Sequence, residues 1–313
     1  MSSSEMQTGK VIKATRNQYI VLVGKKEWAC VVRGKLVGAG DEPLKVKVGD
    51  DVEILPISEN EATIEKILPR RSWLSRAVDG KAYKEHIVAT NIDQIVVIMS
   101  TKNPAFKSGL LDRYLIIAEK NKLHAVICLN KIDLDDPASY RDHKMGYEKI
   151  GYPFIYTSVL TGEGMEQLKN TLTDKVSVLV GHSGVGKSSV INYLEPEYRV
   201  KVGEVSDRTR KGTHTTTHVQ LYPLSFGGFL IDTPGIRELG LWNIYQDELP
   251  EYYPEFKKLA PHCRFNNCKH RNEPDCAVKA AVRSGEVSRE RYENYLQIYD
   301  SLRAAPYELI KPR

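Results

Sequence analysis

The sequence predicts an α/β protein whose mainly parallel sheet is preceded by a small β-barrel and followed by an α-helical module. Three observations predict this fold class. Short β-rich segments fill residues 8–68, buried apolar runs alternate with helical periodicity from residue 87 onward, and three of the five cysteines fall within 14 residues near the C-terminus. A chain of 313 residues is too long for one compact core and suits two or three domains. We expect three, spanning residues 1–76, 77–244 and 245–313.

The first domain has the pattern of an OB-type barrel. Turn signals such as Val48-Gly49-Asp50 separate its β-rich segments, and five short strands in so few residues fit such a barrel. Another small sheet is the alternative that pattern alone leaves open. Residues 76–85 are polar, and we expect them to form a linker. The predicted strands are 9–14, 18–23, 28–35, 51–55 and 62–68.

The middle of the chain has the pattern of a doubly wound sheet. Continuous apolar runs are typical of parallel strands covered on both faces, and here they alternate with helical spacing. The predicted strands are 92–99, 123–129, 154–157, 176–180 and 229–231, and the predicted helices are 110–120, 164–172, 189–194 and, near the C-terminus, 289–304.

The composition is ordinary for a soluble globular protein, and we expect the protein to be located in the cytoplasm. Hydrophobic residues make up 41% and charged residues 27% of the chain. No apolar run of about 18 residues and no signal-peptide pattern occur, so we expect neither a membrane partner nor export. The net charge of +5 divides into +3 for residues 1–76, −1 for 77–261 and +3 for 262–313. The basic ends suggest contact with a polyanion, although such surpluses are also common on solvated surfaces.

A P-loop follows the predicted strand 176–180. Glycines in G-x-x-x-x-G-K-S let backbone N–H groups face phosphates, and the helix that follows adds the positive end of its dipole. Lys187 should reach the β- and γ-phosphates, and the Ser188 hydroxyl should ligate Mg²⁺. The phosphate-binding residues are Gly181, His182, Ser183, Gly184, Val185, Gly186, Lys187, Ser188 and, in the helix, Ser189.

A second phosphate element follows the predicted strand 229–231. The sequence Asp232-Thr233-Pro234-Gly235 places a carboxylate at the end of a buried strand. Asp232 can hold a water bound to Mg²⁺, and the Gly235 N–H can contact the γ-phosphate. A simple turn would explain the same four residues in isolation, but the P-loop favours the phosphate role.

A base-reading motif, N-K-x-D, follows the strand 123–129. The Asp133 carboxylate can accept hydrogen bonds from N1 and N2 of guanine, which adenine cannot donate, while Asn130 and Lys131 would brace the surrounding loops. Thr157 and Ser158, after the next strand, could cover the base through backbone contacts. We therefore expect GTP and GDP, with Mg²⁺, as ligands.

The order of these motifs is circularly permuted. In a Ras-like domain the P-loop precedes the base motif, whereas here residues 130–133 precede residues 181–188. Termini of compact domains often lie close together, so such a rearrangement preserves the sheet. The segment after Gly235 then leads directly into the C-terminal module, and we hypothesise that a γ-phosphate-dependent shift is passed on there.

The C-terminal module contains the spacing C-x4-C-x-H-x5-C. Three thiolates and one imidazole complete a tetrahedral Zn²⁺ shell, which indicates a structural site without an open position. His262 could replace the histidine, although His270 fits the short loop better, and unliganded core thiols are the alternative. The predicted ligands are Cys263, Cys268, His270 and Cys276.

Taken together, these residues resemble the ribosome-small-subunit-dependent GTPase A family, also called RsgA or YjeQ. The resemblance rests on the barrel, N-K-x-D before G-x-S-G-V-G-K-S, the segment Lys211–Thr216, D-T-P-G and the Cys/His spacing. It implies a P-loop GTPase domain of permuted order between an OB-type barrel and a zinc-binding module. It also implies binding of the 30S subunit and its 16S rRNA late in maturation, with release after GTP hydrolysis.

The resemblance also implies a catalytic histidine. Ras-like enzymes orient water with a Gln after D-x-x-G, but Ile236 stands there and cannot do so. Thr215 or Thr216 would complete the Mg²⁺ shell, and His214 is the candidate to orient water. His182 and His218 are rival candidates, and a role of His214 in packing or RNA contact is the alternative. Gly184 stands where other permuted GTPases use Asn for K⁺.

Three functions are consistent with these residues. The first is a monomeric GTPase, stimulated by the small subunit, whose hydrolysis times its release. The second is an RNA-binding assembly scaffold with little turnover. The third, a zinc-dependent hydrolase acting on RNA, is disfavoured because the metal shell is closed. For RNA contact we expect the barrel surface and basic residues near the zinc site, such as Lys269 and Arg271.

Overall fold

The structure is a computed structural model of the chain. It describes residues 5–15, 18–32, 45–78, 81–198, 219–232, 241 and 244–302, with the backbone alone for 76–78, 81–86 and 232.

The N-terminal strands close into a barrel. β1 pairs with both β2 and β4, and the order β1-β2-β3-β5-β4 returns to β1, with β3 and β5 parallel and the other pairs antiparallel. A bulge between Val11 and Lys13 interrupts the register of β1 with β2 and bends β1. The strands are β1 (Gln7–Ala14), β2 (Tyr19–Val23), β3 (Lys26–Val32), β4 (Asp51–Pro56) and β5 (Glu61–Ile67).

The alternation of side chains along these strands fills the barrel. Inward-facing residues such as Val21, Trp28, Val52 and Ile64 are buried together in one apolar cluster. Along β2 and β3 the residues next to Val21 and Trp28 are more exposed, as the period of two requires. The OB-type barrel predicted from the sequence is confirmed.

The predicted linker over residues 76–85 is wrong. β6 (Trp73–Val78) and β7 (Lys81–Thr90) form an antiparallel two-stranded sheet across this region. Backbone pairing in a hairpin does not require apolar side chains, so the polar composition misled the prediction. Asp79-Gly80, between the two strands, is a dipeptide typical of hairpin turns and was the available signal.

A mostly parallel sheet forms the centre of the molecule, as predicted. Its order is β10-β9-β8-β11-β13-β12, in which only β12 runs antiparallel to its neighbour. Every residue of β8 and β11 is buried, because helices cover both faces of the sheet. The strands are β8 (Gln94–Ser100), β9 (His124–Asn130), β10 (Phe154–Tyr156), β11 (Val176–Val180), β12 (Gln220–Pro223) and β13 (Phe229–Asp232).

The helices alternate with these strands. Two apolar clusters lie on opposite faces of the sheet, one around Leu115 and Ile127, the other around Leu168 and Val190. The helices are α1 (Ser108–Lys120), α2 (Arg141–Lys149), α3 (Met165–Leu172) and α4 (Lys187–Leu194). Barrel and central sheet are continuous, because β12 pairs with β1 at Gln220 and Lys13.

The C-terminal module is helical, as predicted. It contains α5 (Pro254–Leu259), α6 (Ala277–Ser284) and α7 (Arg289–Ser301). Tyr253, Phe256 and Tyr295 are fully buried in its core, which Ile116 of α1 also enters. The module therefore shares apolar surface with the central domain. Over the described parts of the chain, no helix has both the length and the apolar character needed to cross a bilayer.

Candidate nucleotide site and metal centre

The predicted nucleotide motifs meet at one edge of the central sheet. β8, β9, β10 and β11 are parallel neighbours, so the loops that follow them lie side by side at their carboxyl ends. Ligands of open α/β sheets bind at this edge. Asn130 ends β9, Thr157 follows β10 and Gly181 follows β11.

The P-loop has a backbone that glycine permits. Gly181, Gly184 and Gly186 have φ values of 149°, 83° and 100°. An added Cβ on Gly181 would lie 2.2 Å from the Ile98 carbonyl oxygen, so β8 leaves no room for a side chain. Val185 is buried in the core and fixes the loop to the sheet. The loop leads directly into the start of α4, where backbone N–H groups can bind an anion.

Lys187 begins α4 and folds back over the P-loop. Its Nζ donates to the carbonyl oxygens of Gly181 at 2.7 Å and His182 at 2.8 Å. Ser188 and Ser189 are half-buried in the same helical turn, whereas His182 and Ser183 are exposed. The ammonium group therefore lies where a phosphate chain along the loop would pass.

Asn130 connects the base motif to the P-loop. Its Nδ2 donates to the Val185 carbonyl at 3.0 Å, and its Oδ1 accepts from the Thr157 hydroxyl at 3.2 Å. The Thr157 oxygen also lies 3.2 Å from the buried thiol of Cys128, whose pKa burial raises to about 12. A buried, uncharged network thus holds the amide of Asn130 in place.

Lys131 and Asp133 extend the same loop. Lys131 Nζ donates to the carbonyl oxygens of Gly184, at 2.6 Å, and Asn103. Asp133 is exposed, and its Oδ1 accepts from the hydroxyl of the buried Ser158 at 2.5 Å. This bond orients the carboxylate while leaving its side chain accessible to a base. The structure therefore brings together the predicted base and phosphate residues that it describes.

Sequence reasoning missed a fourth loop of this site, residues 101–107 between β8 and α1. Thr101 Oγ1 donates to the Lys131 carbonyl at 2.6 Å, and Ser100 Oγ donates to the Pro104 carbonyl at 2.7 Å. An added Cβ on Gly184 would lie 3.4 Å from Pro104 Cδ. The available signal was the position of Ser100 and Thr101 after a buried strand at the same sheet edge.

The predicted switch residues are only partly described. Asp232 ends β13, which pairs with β11, so its backbone lies at the edge that carries the P-loop. His214, Thr215, Thr216, His218, Gly235 and Ile236 lie outside the described residues.

The four predicted metal ligands converge in the C-terminal module. Candidate ligand atoms of Cys263, Cys268, His270 and Cys276 all lie within 4.8 Å of one another. The Cys263 and Cys276 sulfurs are 3.9 Å apart, and His270 Nδ1 lies 3.6 and 3.4 Å from them. Tetrahedral zinc distances imply about 3.8 Å between two sulfurs and about 3.6 Å between nitrogen and sulfur. The cluster therefore fits a metal ion through Nδ1.

The protonation of this cluster also suits a metal. Burial raises the pKa of the Cys268 thiol to about 12 and raises that of Cys276, while burial lowers the pKa of His270. A cation that binds here must therefore displace the thiol protons of Cys268 and Cys276. Cys276 also caps α6, where its sulfur accepts from Lys279 N. Metal binding and helix packing thus share one residue.

The two basic residues expected to contact RNA are engaged within the module. Lys269 Nζ lies 3.0 Å from the Asp247 carboxylate. Arg271 lies 2.7 Å from the Asp300 carboxylate and stacks on the ring of Tyr299. These contacts join α7 and the segment before α5 to the metal loop, and contact of either side chain with RNA stays a prediction.

The chain is similar to known proteins along most of its length. A family model described as RsgA GTPase matches residues 67–242, more than half of the chain. The protein called small ribosomal subunit biogenesis GTPase RsgA from Caldanaerobacter subterraneus subsp. tengcongensis is 39% identical over 290 residues, covering 93% of this chain and 94% of that protein.

Two solved structures share the fold. YjeQ from Thermotoga maritima matches with a TM-score of 0.77 and 34% identity, covering 99% of this chain and 100% of that chain. YloQ, described as a circularly permuted GTPase, matches with a TM-score of 0.75 and 29% identity, covering 100% and 98%. The predicted permuted GTPase fold is thereby confirmed.

Proposed function

Because this chain belongs to the RsgA GTPase family and is a GTP hydrolase, we propose that it binds the 30S ribosomal subunit late in maturation and leaves after hydrolysis. The name shared by its relatives, small ribosomal subunit biogenesis GTPase, supports this role. For the nucleotide-dependent part of this role, the supporting structural observation is the pair of hydrogen bonds from Asn130 and Lys131 to the carbonyls of Val185 and Gly184. These bonds support one pocket that serves both base and triphosphate.

Within this pocket each residue has a proposed role. Asp133 reads guanine, Thr157 and Ser158 support the base loop, and Lys187 neutralises the β- and γ-phosphates. Mg²⁺ prefers oxygen ligands. The Ser188 hydroxyl would bind it directly, and the Asp232 carboxylate would hold one of its water ligands. Thr215 or Thr216 would complete the magnesium ligands, Gly235 would contact the γ-phosphate, and His214 would orient the attacking water.

The metal centre is proposed to hold structural Zn²⁺. The three thiols and one imidazole complete a tetrahedral shell with no position for a reacting water. Their packing against the core around Phe256 and Tyr295 supports a role in folding the module. A zinc-dependent hydrolase is not supported by this donor set.

The terminal modules are proposed to contact 16S rRNA. Their surplus of basic residues favours contact with phosphate, and the barrel has the OB topology used for oligonucleotide binding.

The proposal includes three domains, spanning residues 1–76, 77–244 and 245–313. It also includes a monomeric protein that acts in the cytoplasm, where ribosomes mature. The first boundary falls within β6.

The test is GTP hydrolysis by the purified chain with and without purified small ribosomal subunits. We expect strong stimulation by immature or mature 30S subunits, and co-sedimentation that GDP weakens relative to a non-hydrolysable GTP analogue. Binding without stimulated turnover would instead identify a nucleotide-regulated scaffold. Absence of both binding and stimulation would overturn the proposal.

A further inference from the structure

The loop 101–107 lies between the proposed nucleotide site and α1. On one side it receives the hydrogen bond from Lys131 and approaches Gly184 of the P-loop through Pro104. On the other side it leads into the first turn of α1 at Ser108. Its position therefore depends both on the nucleotide loops and on where α1 is held.

The start of α1 is held by α7 of the C-terminal module. Asn294 Nδ2 donates to the Ser108 hydroxyl at 3.0 Å and to Asp112 Oδ2 at 2.8 Å. Arg291 pairs with Asp112 Oδ1, and Ser108 Oγ donates to Glu290. These bonds join residues more than 170 positions apart in sequence, one helical turn from the loop.

The contact between α1 and α7 is buried and pairs opposite charges. The Asp112 side chain is fully buried, and that of Arg291 is 7% exposed. Arg291 Nε also donates to Glu255 of α5 at 2.5 Å, and Tyr147 of α2 donates to Asp112 at 2.8 Å. A guanidinium held between two buried carboxylates has few alternative geometries, because any shift leaves a charge unpaired.

We propose that Arg291 and Asn294 are positioning residues for the nucleotide site. They hold α1, and through it the loop 101–107, against the P-loop, so that guanine nucleotide binding and attachment of the C-terminal module strengthen each other. This inference rests on the nucleotide site proposed above. The coupling passes through α1 and is separate from the hypothesised shift of the segment that follows Gly235. Because linkage is reciprocal, a change at either end must alter affinity at the other.

The experiment measures hydrogen exchange of the full chain with and without GDP and Mg²⁺. In the unmodified protein, GDP should slow exchange in residues 181–190 and also in residues 289–299. Asn294→Ala removes the two amide hydrogen bonds but leaves the charged cluster, so the protein should fold. In this variant we expect GDP to protect residues 181–190 still, while the protection of 289–299 is largely lost.

GDP affinity is measured for Asn294→Ala and for two variants of Arg291, and Asn294→Ala should lower it. Arg291→Met should lower it by about fivefold or more, the usual lower range for coupled sites. Arg291→Lys should restore part of the loss, which a mere packing defect would not allow. Arg264→Met is the matched control, since it breaks the exposed Arg264–Asp275 pair of the same module, and it should change neither readout.

Two results would overturn the inference, and they are distinguishable. If GDP protects 181–190 but never 289–299 in the unmodified chain, the nucleotide site stands and the coupling is wrong. If GDP does not slow hydrogen exchange in residues 181–190, the proposed nucleotide site is wrong, and the proposed coupling is then wrong as well. Should Arg291→Met fail to fold, Asn294→Ala decides the outcome through both measurements.

Discussion

The amide of Asn130 donates a hydrogen bond to the carbonyl oxygen of Val185, 55 positions later in the chain, at 3.0 Å. Next to this bond, the α-carbon of Gly186 lies so close that an added Cβ would be 2.5 Å from Asn130 Nδ2. The base motif and the P-loop are thus packed against each other without space for a methyl group.

Gly186→Ala should therefore abolish guanine nucleotide binding. The new methyl group would displace Asn130. Because residue 186 has a φ of 100°, an alanine there also adds backbone strain of about 1–3 kcal/mol. Gly151→Ala is the matched control, because Gly151 has a φ of 103° with nothing within 4 Å of an added Cβ. Gly186→Ala should lose more stability than Gly151→Ala in urea unfolding, because the clash adds to the same backbone strain, and only Gly186→Ala should lose GDP binding by calorimetry. Equal affinities in the two variants would contradict the proposed packing.

Asp133→Asn should change the base preference. The carboxylate accepts from two donors of guanine, and an amide presents a donor instead, so GDP affinity should fall roughly 100-fold, about 3 kcal/mol. The variant should prefer xanthine nucleotides, whose 2-oxo group accepts a hydrogen bond. Competition of GDP, ADP and XDP against a fluorescent nucleotide measures this. A preference unchanged from the unmodified chain would remove Asp133 from the base site.

His214→Ala should separate hydrolysis from binding. If the imidazole orients or activates water, turnover should drop by about 100-fold or more while GTP affinity stays within twofold. Single-turnover hydrolysis with saturating small subunits measures the first quantity, and nucleotide titration the second. His218→Ala tests the rival candidate in the same segment and should retain turnover if His214 is the catalytic group. Full activity of His214→Ala would assign catalysis to another group.

Removal of the metal should unfold the C-terminal module. One zinc per chain is expected by atomic emission, and a chelator should release it with loss of the near-ultraviolet signal of the buried tyrosines. Because burial raises the thiol pKa of Cys268 and Cys276, protons compete with the ion, so metal affinity should fall as pH falls. Cys276→Ser should lose zinc, whereas the barrel variant Cys30→Ala should retain it. A chain that folds normally and holds no metal would exclude the site.

The prediction that failed has a physical cause. The hairpin of β6 and β7 was taken for a linker because its residues are polar, yet strand pairing depends on backbone hydrogen bonds that composition does not reveal. The ion pairs of Lys269 with Asp247 and of Arg271 with Asp300 were not predicted either, because neither pair has a local signature. Contact of Lys269 and Arg271 with RNA stays a prediction.

The sequence by itself determined the chemistry of this protein. The P-loop, the N-K-x-D motif and the Cys/His spacing are local patterns, because phosphates, guanine and tetrahedral metals require particular residue types a few positions apart. Buried strands were also predictable, since both faces of each are apolar. These features depend on neighbours along the chain.

Only the tertiary structure decided how these parts meet. The order of strands brings the Asn130 amide to Val185, the pairing of Lys13 with Gln220 joins the barrel to the sheet, and the buried Asp112–Arg291 pair attaches the C-terminal module to α1. Such contacts form between residues 55 to 207 positions apart. They depend on the packing of whole elements, which no short segment encodes.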